Sequence, residues 1–448
     1  MARREKKSYL IIGNSAGGIA AVEAIRKADK AGAITILSDE PWPDYSRPLI
    51  SHHLSEGKPI EKMLFRPAEF YDTCGIHVLL NSKAVSIDVT GKTVELENGK
   101  TIAWNKLLLA TGGQPIIPKI DGAGIEGVYT FTTLDDAKAI DAFINLHSER
   151  KLKAVVIGGG LIGISVSEAL IKRGVGVTIV EMQQNILMSI LDNEAAAIEE
   201  ETIRQSGVEI VTGHTVNAIS SSPSGKVSGV VLDDGRSLPC DIVVLAIGVQ
   251  PRMALAQDAG IETNRGIVVD RHMATSVPDV FACGDAAEAY DFLRHENRVN
   301  PIWPAAYSGG KVAGANMAGV PAEFKGGTAM NAMKYFGLHV LSAGMVVPPD
   351  ESYEVVSRRE NGSYQKIVIK DGLLKGFVFM NEIERAGVVY NLLKDEINVD
   401  RFKQVLVAGD FRLTDLPEGI WQPLLATVST GPALSQNGAG QKKQGIMV

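Results

Sequence analysis

Short apolar runs that end on a glycine-rich turn, each followed by a longer stretch with apolar residues at helical spacing, occur twice along the chain. The first is Tyr9-Leu-Ile-Ile leading into Gly13-Asn-Ser-Ala-Gly-Gly18, and the second is Ala154-Val-Val-Ile leading into Gly158-Gly-Gly-Leu-Ile-Gly163. Each run reads as a buried parallel strand, the glycines as a tight turn and the amphipathic stretch as a helix packed back on the strand. In the second copy the pattern predicts a helix over 161–173 and a strand over 177–180 that closes on Glu181. In the first it predicts a strand over 34–37, closed by Asp39 and Glu40.

The small residues of such a unit have separate tasks. The first glycine (Gly13, Gly158) reaches turn angles that other residues avoid, and the middle small residue (Ser15, Gly160) lets a pyrophosphate approach the backbone. The third glycine (Gly18, Gly163) lets the helix lie close on the strand. Phosphates then rest on unpaired N–H groups at the positive end of the helix, where Ala16, Gly17 and Ile162 stand. The acid that closes the following strand is placed for a ribose hydroxyl. Two such units imply two bound dinucleotides.

The halves repeat each other further. Gly75-Ile-His-Val-Leu-Leu80 resembles Gly207-Val-Glu-Ile-Val-Thr212, and each is followed by strands turning at Asn98-Gly99 or Asp234-Gly235, dipeptides that favour type I′ hairpins. Each half closes on an apolar strand and glycine turn, Leu107-Leu-Leu-Ala-Thr-Gly112 against Val243-Val-Leu-Ala-Ile-Gly248. The copies differ after the second strand. The first has Pro41-Trp-Pro-Asp-Tyr-Ser-Arg-Pro48 through His53, whereas the second has a helical, acidic stretch over 191–205. This asymmetry points to one nucleotide wrapped as a prosthetic group and another that comes and goes, with Arg47 as a bidentate counter-cation for the first pyrophosphate. Past Pro251 no third repeat begins. Pro278-Asp-Val-Phe-Ala-Cys-Gly-Asp285 reads as a strand meeting a Gly-Asp turn at a helix start, and Asp285 suits hydroxyls of a polyol chain better than phosphate. Trp303-Pro-Ala-Ala-Tyr-Ser-Gly-Gly310 then leads into a helix through Met317. From about residue 321 strands over 365–369 and 374–379 predict an antiparallel sheet, followed by a helix over 382–395.

The fold expected is therefore α/β: two Rossmann-like domains plus a C-terminal α+β interface domain. Residues 1–115 with 246–322 form the first dinucleotide domain, 116–245 the second, 323–434 the interface domain and 435–448 a flexible tail.

Composition narrows the partners. A net charge of −7, with no basic face carrying interleaved aromatics, argues against nucleic acid. The basic opening followed by Ser8–Ile12 fails as a signal peptide, because its apolar run stops at Gly13 and the next helix carries Glu23, Arg26 and Lys27. No window approaches the roughly 18 apolar residues of a membrane span, so a cytoplasmic location is expected. Cys74, Cys240 and Cys283 are the only cysteines and lie far apart. They offer neither a dithiol relay nor a cluster-ligand set, no metal site is read, and Cys283 is expected to be a small buried hydrophobe.

The motifs Gly13-x-Ser-x-x-Gly18, Tyr45-Ser-Arg-Pro48, Ala110-Thr-Gly112, Gly158-x-Gly-x-x-Gly163, Gly248-Val-Gln-Pro251 and Ala282-Cys-Gly-Asp285 together resemble the flavin-dependent pyridine nucleotide–disulfide oxidoreductase superfamily, over nearly the whole chain to about residue 400. The resemblance is greatest to the branch of rubredoxin and ferredoxin reductases and of nitrite reductase flavin modules. It implies FAD on the first domain and NAD(H) on the second. For FAD it marks Gly13, Ser15, Ala16, Gly17, Gly18, Asp39, Glu40, Arg47, Pro48, Ala110, Thr111, Gly112, Gly284 and Asp285, with Ala84 beside the adenine and Trp303–Pro304 near the ring. For NAD(H) it marks Gly158, Gly160, Ile162, Gly163, Glu181 and Gly248, where Glu181 disfavours a 2′-phosphate. Members with thiol chemistry keep a cysteine just after the second strand, and none stands between Asp44 and His53. Ferredoxin-reductase relatives often pair a Lys and a Glu beside the flavin; those positions here are His52 and Ser165, so that pair does not carry over.

Nicotinamide-to-flavin transfer needs parallel rings in a dry pocket, so the residues marked are binding residues, and none is a catalytic acid, base or nucleophile. With no metal or thiol to take electrons onward, the expected function is electron transfer between NAD(H) and an iron–sulfur protein or subunit through FAD. The rivals are an NADH oxidase using oxygen or a small quinone, and a flavoprotein whose reduced state gates partner binding. The C-terminal domain would close the flavin site or form a homodimer or larger complex.

Overall fold

The computed structural model describes residues 7–408 and 411–422; the expected tail over 435–448 lies outside them. Two five-stranded parallel sheets form the body of the first compact unit, and they match strand for strand. The first runs Val280–Ala282, Lys106–Leu109, Ser8–Ile12, Ala33–Leu37, Ile76–Leu79, and the second Val128–Thr130, Ile242–Leu245, Lys153–Ile157, Gly176–Glu181, Glu209–Thr212. Central strands are apolar on both faces because both are covered: Leu107, Leu108 and Leu109 are fully buried, as are Ile242, Val243 and Val244.

The outermost strand of each sheet comes from outside its repeat. Val128–Thr130 enters the second sheet before that repeat begins, and Val280–Ala282 joins the first sheet after the second repeat has ended. The segments that link the halves, Gly113–Pro115 and Val249–Pro251, pair with each other antiparallel. Residues such as Ala256, Ile261, Met273, Met317 and Phe324 accordingly share one core with Leu10, Ile19 and Val94.

Each half carries a three-stranded meander, Ala84–Asp88 with Thr93–Leu96 and Thr101–Ala103, and Val216–Ser221 with Val227–Leu232 and Ser237–Pro239. The hairpins stand where Asn98-Gly99 and Asp234-Gly235 placed them, but neither is type I′. Only the glycines have positive φ (78° and 84°), and the bonds Gly99 N–H to Leu96 O and Lys100 O from Leu96 N–H make a three-residue loop. Asn98 and Asp234 are held at negative φ because their Oδ1 atoms accept the N–H groups of Lys100 and Arg236.

The helices are Ala16–Ala28, Leu134–Leu146, Leu161–Lys172, Asn193–Gln205 and Trp303–Met317, with the short Ile50–Glu56 against Leu161–Lys172. Ala16–Ala28 and Trp303–Met317 cross closely because glycines face each other. A Cβ on Gly310 would collide with Gly17 O, and one on Gly314 with Ala21 O.

The second unit contains Ile190–Ala195 and the described residues from Met330 onward. Its antiparallel sheet runs Met330–Tyr335, Leu338–Gly344, Leu373–Met380, Ser363–Lys370, Glu354–Glu360, with helix Ala386–Lys394 following. The border falls later than residue 323 because Phe324 is buried in the first unit's core. The helix expected from 382 starts at Ala386, since Glu382 instead turns to accept the Gln365 side-chain N–H. Within this unit Lys366 and Asp192 form a buried ion pair at 2.6 Å, joined by the Tyr364 hydroxyl at 2.7 Å.

Candidate functional site

The two glycine loops have the same internal geometry. Gly13 (φ 123°) and Gly158 (φ 108°) sit against the carbonyls of Ala110 and Ala246, so a Cβ at either would strike backbone. A Cβ on Gly18 would strike Gly13 O, and one on Gly163 would strike Gly158 O. These four glycines are required by the protein's own packing. Gly160 is different: its backbone is extended (φ −80°, ψ −176°), and a Cβ there would meet nothing within 4 Å. No neighbour in the chain excludes a side chain there, and its place at the helix start suits the close approach of a pyrophosphate.

Neither helix is capped by a side chain, since Ser15 makes no cap bond and Gly160 has none to make. The first bonds are Ile19 N–H to Ser15 O and Ile164 N–H to Gly160 O, so the N–H groups of Ala16, Gly17, Gly18, Leu161, Ile162 and Gly163 have no helical acceptor. Each trio lies at the carboxyl end of a parallel strand and at the switch point of its sheet, where the neighbouring strands are Lys106–Leu109 and Ile242–Leu245. Two anion cradles result. Gly17 also has a packing task, since its Cα faces Cys283 Sγ.

The acids at the strand ends behave differently. Glu181 reaches back across its own loop, accepting Gly159 N–H at 2.6 Å and Gln183 N–H at 2.8 Å, which fixes the carboxylate beside the cradle. Glu40 pairs with Arg47 and accepts the Tyr45 hydroxyl at 2.6 Å. Arg47, expected to face only a pyrophosphate, thus has a carboxylate partner and a bond to Thr132 O (3.0 Å). Tyr45 in turn accepts Leu134 N–H at 3.0 Å, at the start of helix Leu134–Leu146. Pro48 begins the short turn behind Arg47. Asp39 is held by Arg252 at 2.9 Å, and Arg252 O accepts the Thr111 hydroxyl at 2.8 Å while its N–H donates to Gly112 O.

Asp285 is half-buried and has no hydrogen-bond partner among the described residues; burial pushes its carboxyl up, with Arg47 pulling the other way. The expected helix start here is a single 3-10 turn, Gly284–Ala286, because Gly284 (φ 72°) bends the chain and the next residues enter strand Ala287–Asp291. Gly112 and Gly248 both have positive φ at the inter-domain links. Ala84 opens the first meander, beside Asn81 and Ser82, whose N–H groups bond Glu40 O and Ser38 O. Trp303 is half-buried with its ring edge-on to Phe65 at 4.9 Å, and Pro304 is exposed. Burial, with the Asp285 carboxyl adding to it, pushes the Cys283 thiol up to about 12, so it stands as a protonated, buried thiol. His52 is half-buried and lies 3.5 Å from Glu56; Ser165 is buried.

Sequence reading missed Arg252, although it directly follows Gly248-Val-Gln-Pro251, and it missed Tyr71 and Phe65, which lie in a stretch with no periodicity to reveal them. It also gave no sign of the surface cluster His214, Asp233 and Asp234, in which Asp233 is hydrogen-bonded to His214 (2.9 Å) and Asp234 is paired with Arg236 (2.6 Å).

A family model described as pyridine nucleotide-disulphide oxidoreductase matches residues 7–310, and one described as rubredoxin NAD+ reductase C-terminal domain matches 330–397. The chain is 32% identical over 410 residues to NADH-dependent phenylglyoxylate dehydrogenase subunit epsilon of Aromatoleum evansii, covering 90% of this chain and 96% of that one. It is 30% identical to the assimilatory nitrate reductase electron transfer subunit of Bacillus subtilis (strain 168), covering 90% of this chain but 51% of that one. Among solved structures it is similar to a ferredoxin reductase from Rhodopseudomonas palustris, with a TM-score of 0.82 and 25% identity over 91% of this chain and 99% of that one.

Proposed function

The chain belongs to the pyridine nucleotide-disulphide oxidoreductase family, and on that premise we propose that it carries electrons between NAD(H) and an iron–sulfur protein or subunit by way of FAD. The observation that carries the two-nucleotide part of the reading is Gly160, a glycine needed by nothing inside the protein, at the mouth of an uncapped helix. The donor set of the first cradle suits FAD as well: three N–H groups for phosphate, a strand-end acid for ribose and the unpaired Asp285 for the polyol hydroxyls. FAD, when bound, accepts two electrons from nicotinamide and hands them on one at a time.

The chain's own residues bind, orient and shield. Gly158, Gly160, Ile162 and Gly163 seat the visiting pyrophosphate, with Gly248 beside it. Glu181, its carboxylate already fixed by two backbone N–H groups, takes the ribose hydroxyl. Gly13, Ser15, Ala16, Gly17 and Gly18 seat the resident pyrophosphate, and Ala110, Thr111, Gly112 and Gly284 carry the backbone past it. Arg47 lends charge from its pair with Glu40, with Pro48 holding the turn. Asp39 and Ala84 border the adenosine end, and Trp303, Pro304 and Phe65 wall the ring from water. No acid or base is asked to move a proton in the nicotinamide step.

Removing the carboxylate at Glu181 relaxes the choice of nicotinamide. Like charges about 4 Å apart repel by about 1 kcal/mol or more, so Glu181→Gln is expected to lower the NADH-over-NADPH ratio of kcat/KM by at least about fivefold. An unchanged ratio would show that the carboxylate does not meet the 2′ position.

The acceptor is tested by following NADH consumption with oxygen alone and then with added ferredoxin or rubredoxin. Turnover limited until the iron–sulfur protein is added supports the reading; equal turnover on oxygen favours the oxidase. The chain spans nearly all of a relative named as a subunit and about half of another, and we propose that it too works inside a larger assembly, contacted through its C-terminal sheet. No helix among the described residues is long and apolar enough to cross a membrane.

A further inference from the structure

Residues of the first cradle also grip the second nucleotide half. Tyr45 is 5% exposed, and its hydroxyl donates to Glu40 Oε2 at 2.6 Å while accepting Leu134 N–H at 3.0 Å and an Arg47 N–H at 3.4 Å. Arg47, besides its pair with Glu40, donates to Thr132 O at 3.0 Å. The acid and the cation of the first cradle are thus tied to the turn over 132–134, with one buried hydroxyl at the centre.

That turn is stiff. Asp136 accepts Thr132 N–H at 2.7 Å, Thr133 N–H at 3.0 Å and the Thr130 hydroxyl at 3.0 Å, and Thr133 caps helix Leu134–Leu146 by accepting Asp136 N–H at 3.1 Å. The turn continues strand Val128–Thr130, which pairs with Ile242–Leu245, and the next residue, Ala246, sets its carbonyl against Gly158 of the second cradle. A short run of bonded backbone therefore leads from the Tyr45 hydroxyl to the second glycine loop.

We infer that Tyr45 is a positioning residue for hydride transfer, its hydroxyl registering the flavin half against the nicotinamide half so that the two rings meet at reacting distance. The inference rests on FAD in the first cradle and NAD(H) in the second. Each half grips its own nucleotide, so affinity depends on contacts within a half, whereas the gap between the rings depends on the joint. A misplacement of about 1 Å costs on the order of 100-fold in rate. Without the hydroxyl, the N–H of the fully buried Leu134 has lost its acceptor and the turn shifts to find another. Two further bonds cross the same seam, Trp42 Nε1–H to Asp135 at 2.9 Å and Arg173 to Leu54 O at 2.8 Å. Neither touches a residue assigned to a nucleotide, so they keep the halves together without fixing the cradles.

The test uses full-length, FAD-loaded protein as wild type, Tyr45→Phe, Leu134→Pro and Leu134→Ala. Tyr45→Phe removes the hydroxyl and keeps the ring. Leu134→Pro removes the donor at the other end of the bond; it is the first residue of its helix, where proline is accommodated, and Thr133 before it is already extended. Leu134→Ala keeps the N–H and controls for lost packing. The rate of flavin reduction at saturating NADH, the NADH concentration at half-saturation and hydrogen exchange of the amides over 130–136 are measured. Tyr45→Phe should lower the saturating rate by about tenfold or more, leave half-saturation near the wild-type value, and lose exchange protection over 130–136 in flavin-free protein as well. Leu134→Pro should fall well below Leu134→Ala, and combining it with Tyr45→Phe should lower the rate no further, because both remove the same bond. A wild-type saturating rate in Tyr45→Phe, a change confined to half-saturation, or equal losses in Leu134→Pro and Leu134→Ala overturns the inference. If NADH fails to reduce the flavin of wild type, the two-nucleotide reading itself falls, and the inference with it.

Discussion

Replacing Gly160 with valine should abolish reduction by NADH while leaving the protein folded and loaded with flavin. The backbone there is extended, at angles a β-branched residue adopts readily, and a Cβ would meet no protein atom within 4 Å. Fold and FAD content are therefore untouched. The branched side chain instead occupies the path of the pyrophosphate over the helix start, and displacing a substrate by about 1 Å costs on the order of 100-fold in rate. The KM for NADH should rise by at least that much, while reduction by dithionite proceeds as in wild type. Gly160→Ser should be far milder, because Ser15 holds the equivalent place in the first cradle. Gly163→Ala makes the opposite contrast: its Cβ would collide with Gly158 O, so it should lower stability. Normal NADH reduction by Gly160→Val would remove the second cradle from the mechanism.

The second large effect concerns stability. Lys366→Met should destabilise the second unit by about 3–5 kcal/mol, the usual result of leaving one member of a buried ion pair without its partner. The side chains of Lys366 and Asp192 are 8% and 12% exposed, so solvent screens the pair little. Asp192 would keep the Tyr364 hydroxyl and Ala195 N–H but lose its cationic partner among the described residues. Asp192→Leu combined with Lys366→Met should recover much of the loss, since an apolar pair of similar volume is often neutral. Although burial alone would raise the Asp192 carboxyl, Lys366, Ala195 N–H and Tyr364 together hold it below the ordinary carboxylate range. Its contribution is therefore complete above the unfolded-state carboxylate pKa and is lost as pH falls through the depressed folded value. Thermal unfolding of wild type and Lys366→Met should accordingly converge in strongly acidic buffer. A gap that stays constant on acidification would assign the loss to packing by the lysine stem.

The repeated strand–turn–helix units were plain in the sequence because their glycines answer to backbone geometry, which leaves a residue-level signature. Gly13, Gly18, Gly158 and Gly163 each face a carbonyl that excludes any side chain. The hairpins were legible in place but not in type, since the choice between turn forms depended on whether Asn98 and Asp234 bond forward to Lys100 and Arg236. Contacts made across the fold left no local trace. The Arg47–Glu40 pair joins two residues read separately along the chain, while the Leu134 N–H that donates to the Tyr45 hydroxyl and the Arg252–Asp39 bridge bring in residues that were not read at all. Tyr71 was invisible for the same reason, because it reaches Asn14 from a single helical turn, Phe70–Thr73, too short to carry a period.

The exchange of outer strands sets an order on biogenesis. The first sheet lacks an edge until Val280–Ala282 has left the ribosome, by which time the whole second repeat has been made. The amino-terminal half must therefore wait, with Lys106–Leu109 open on one side, for a late segment to finish it, whereas the inner repeat has its edge strand Val128–Thr130 in hand before its own core is translated. The inner repeat is thus able to mature first during synthesis, and the sheet of the amino-terminal half is completed only afterwards.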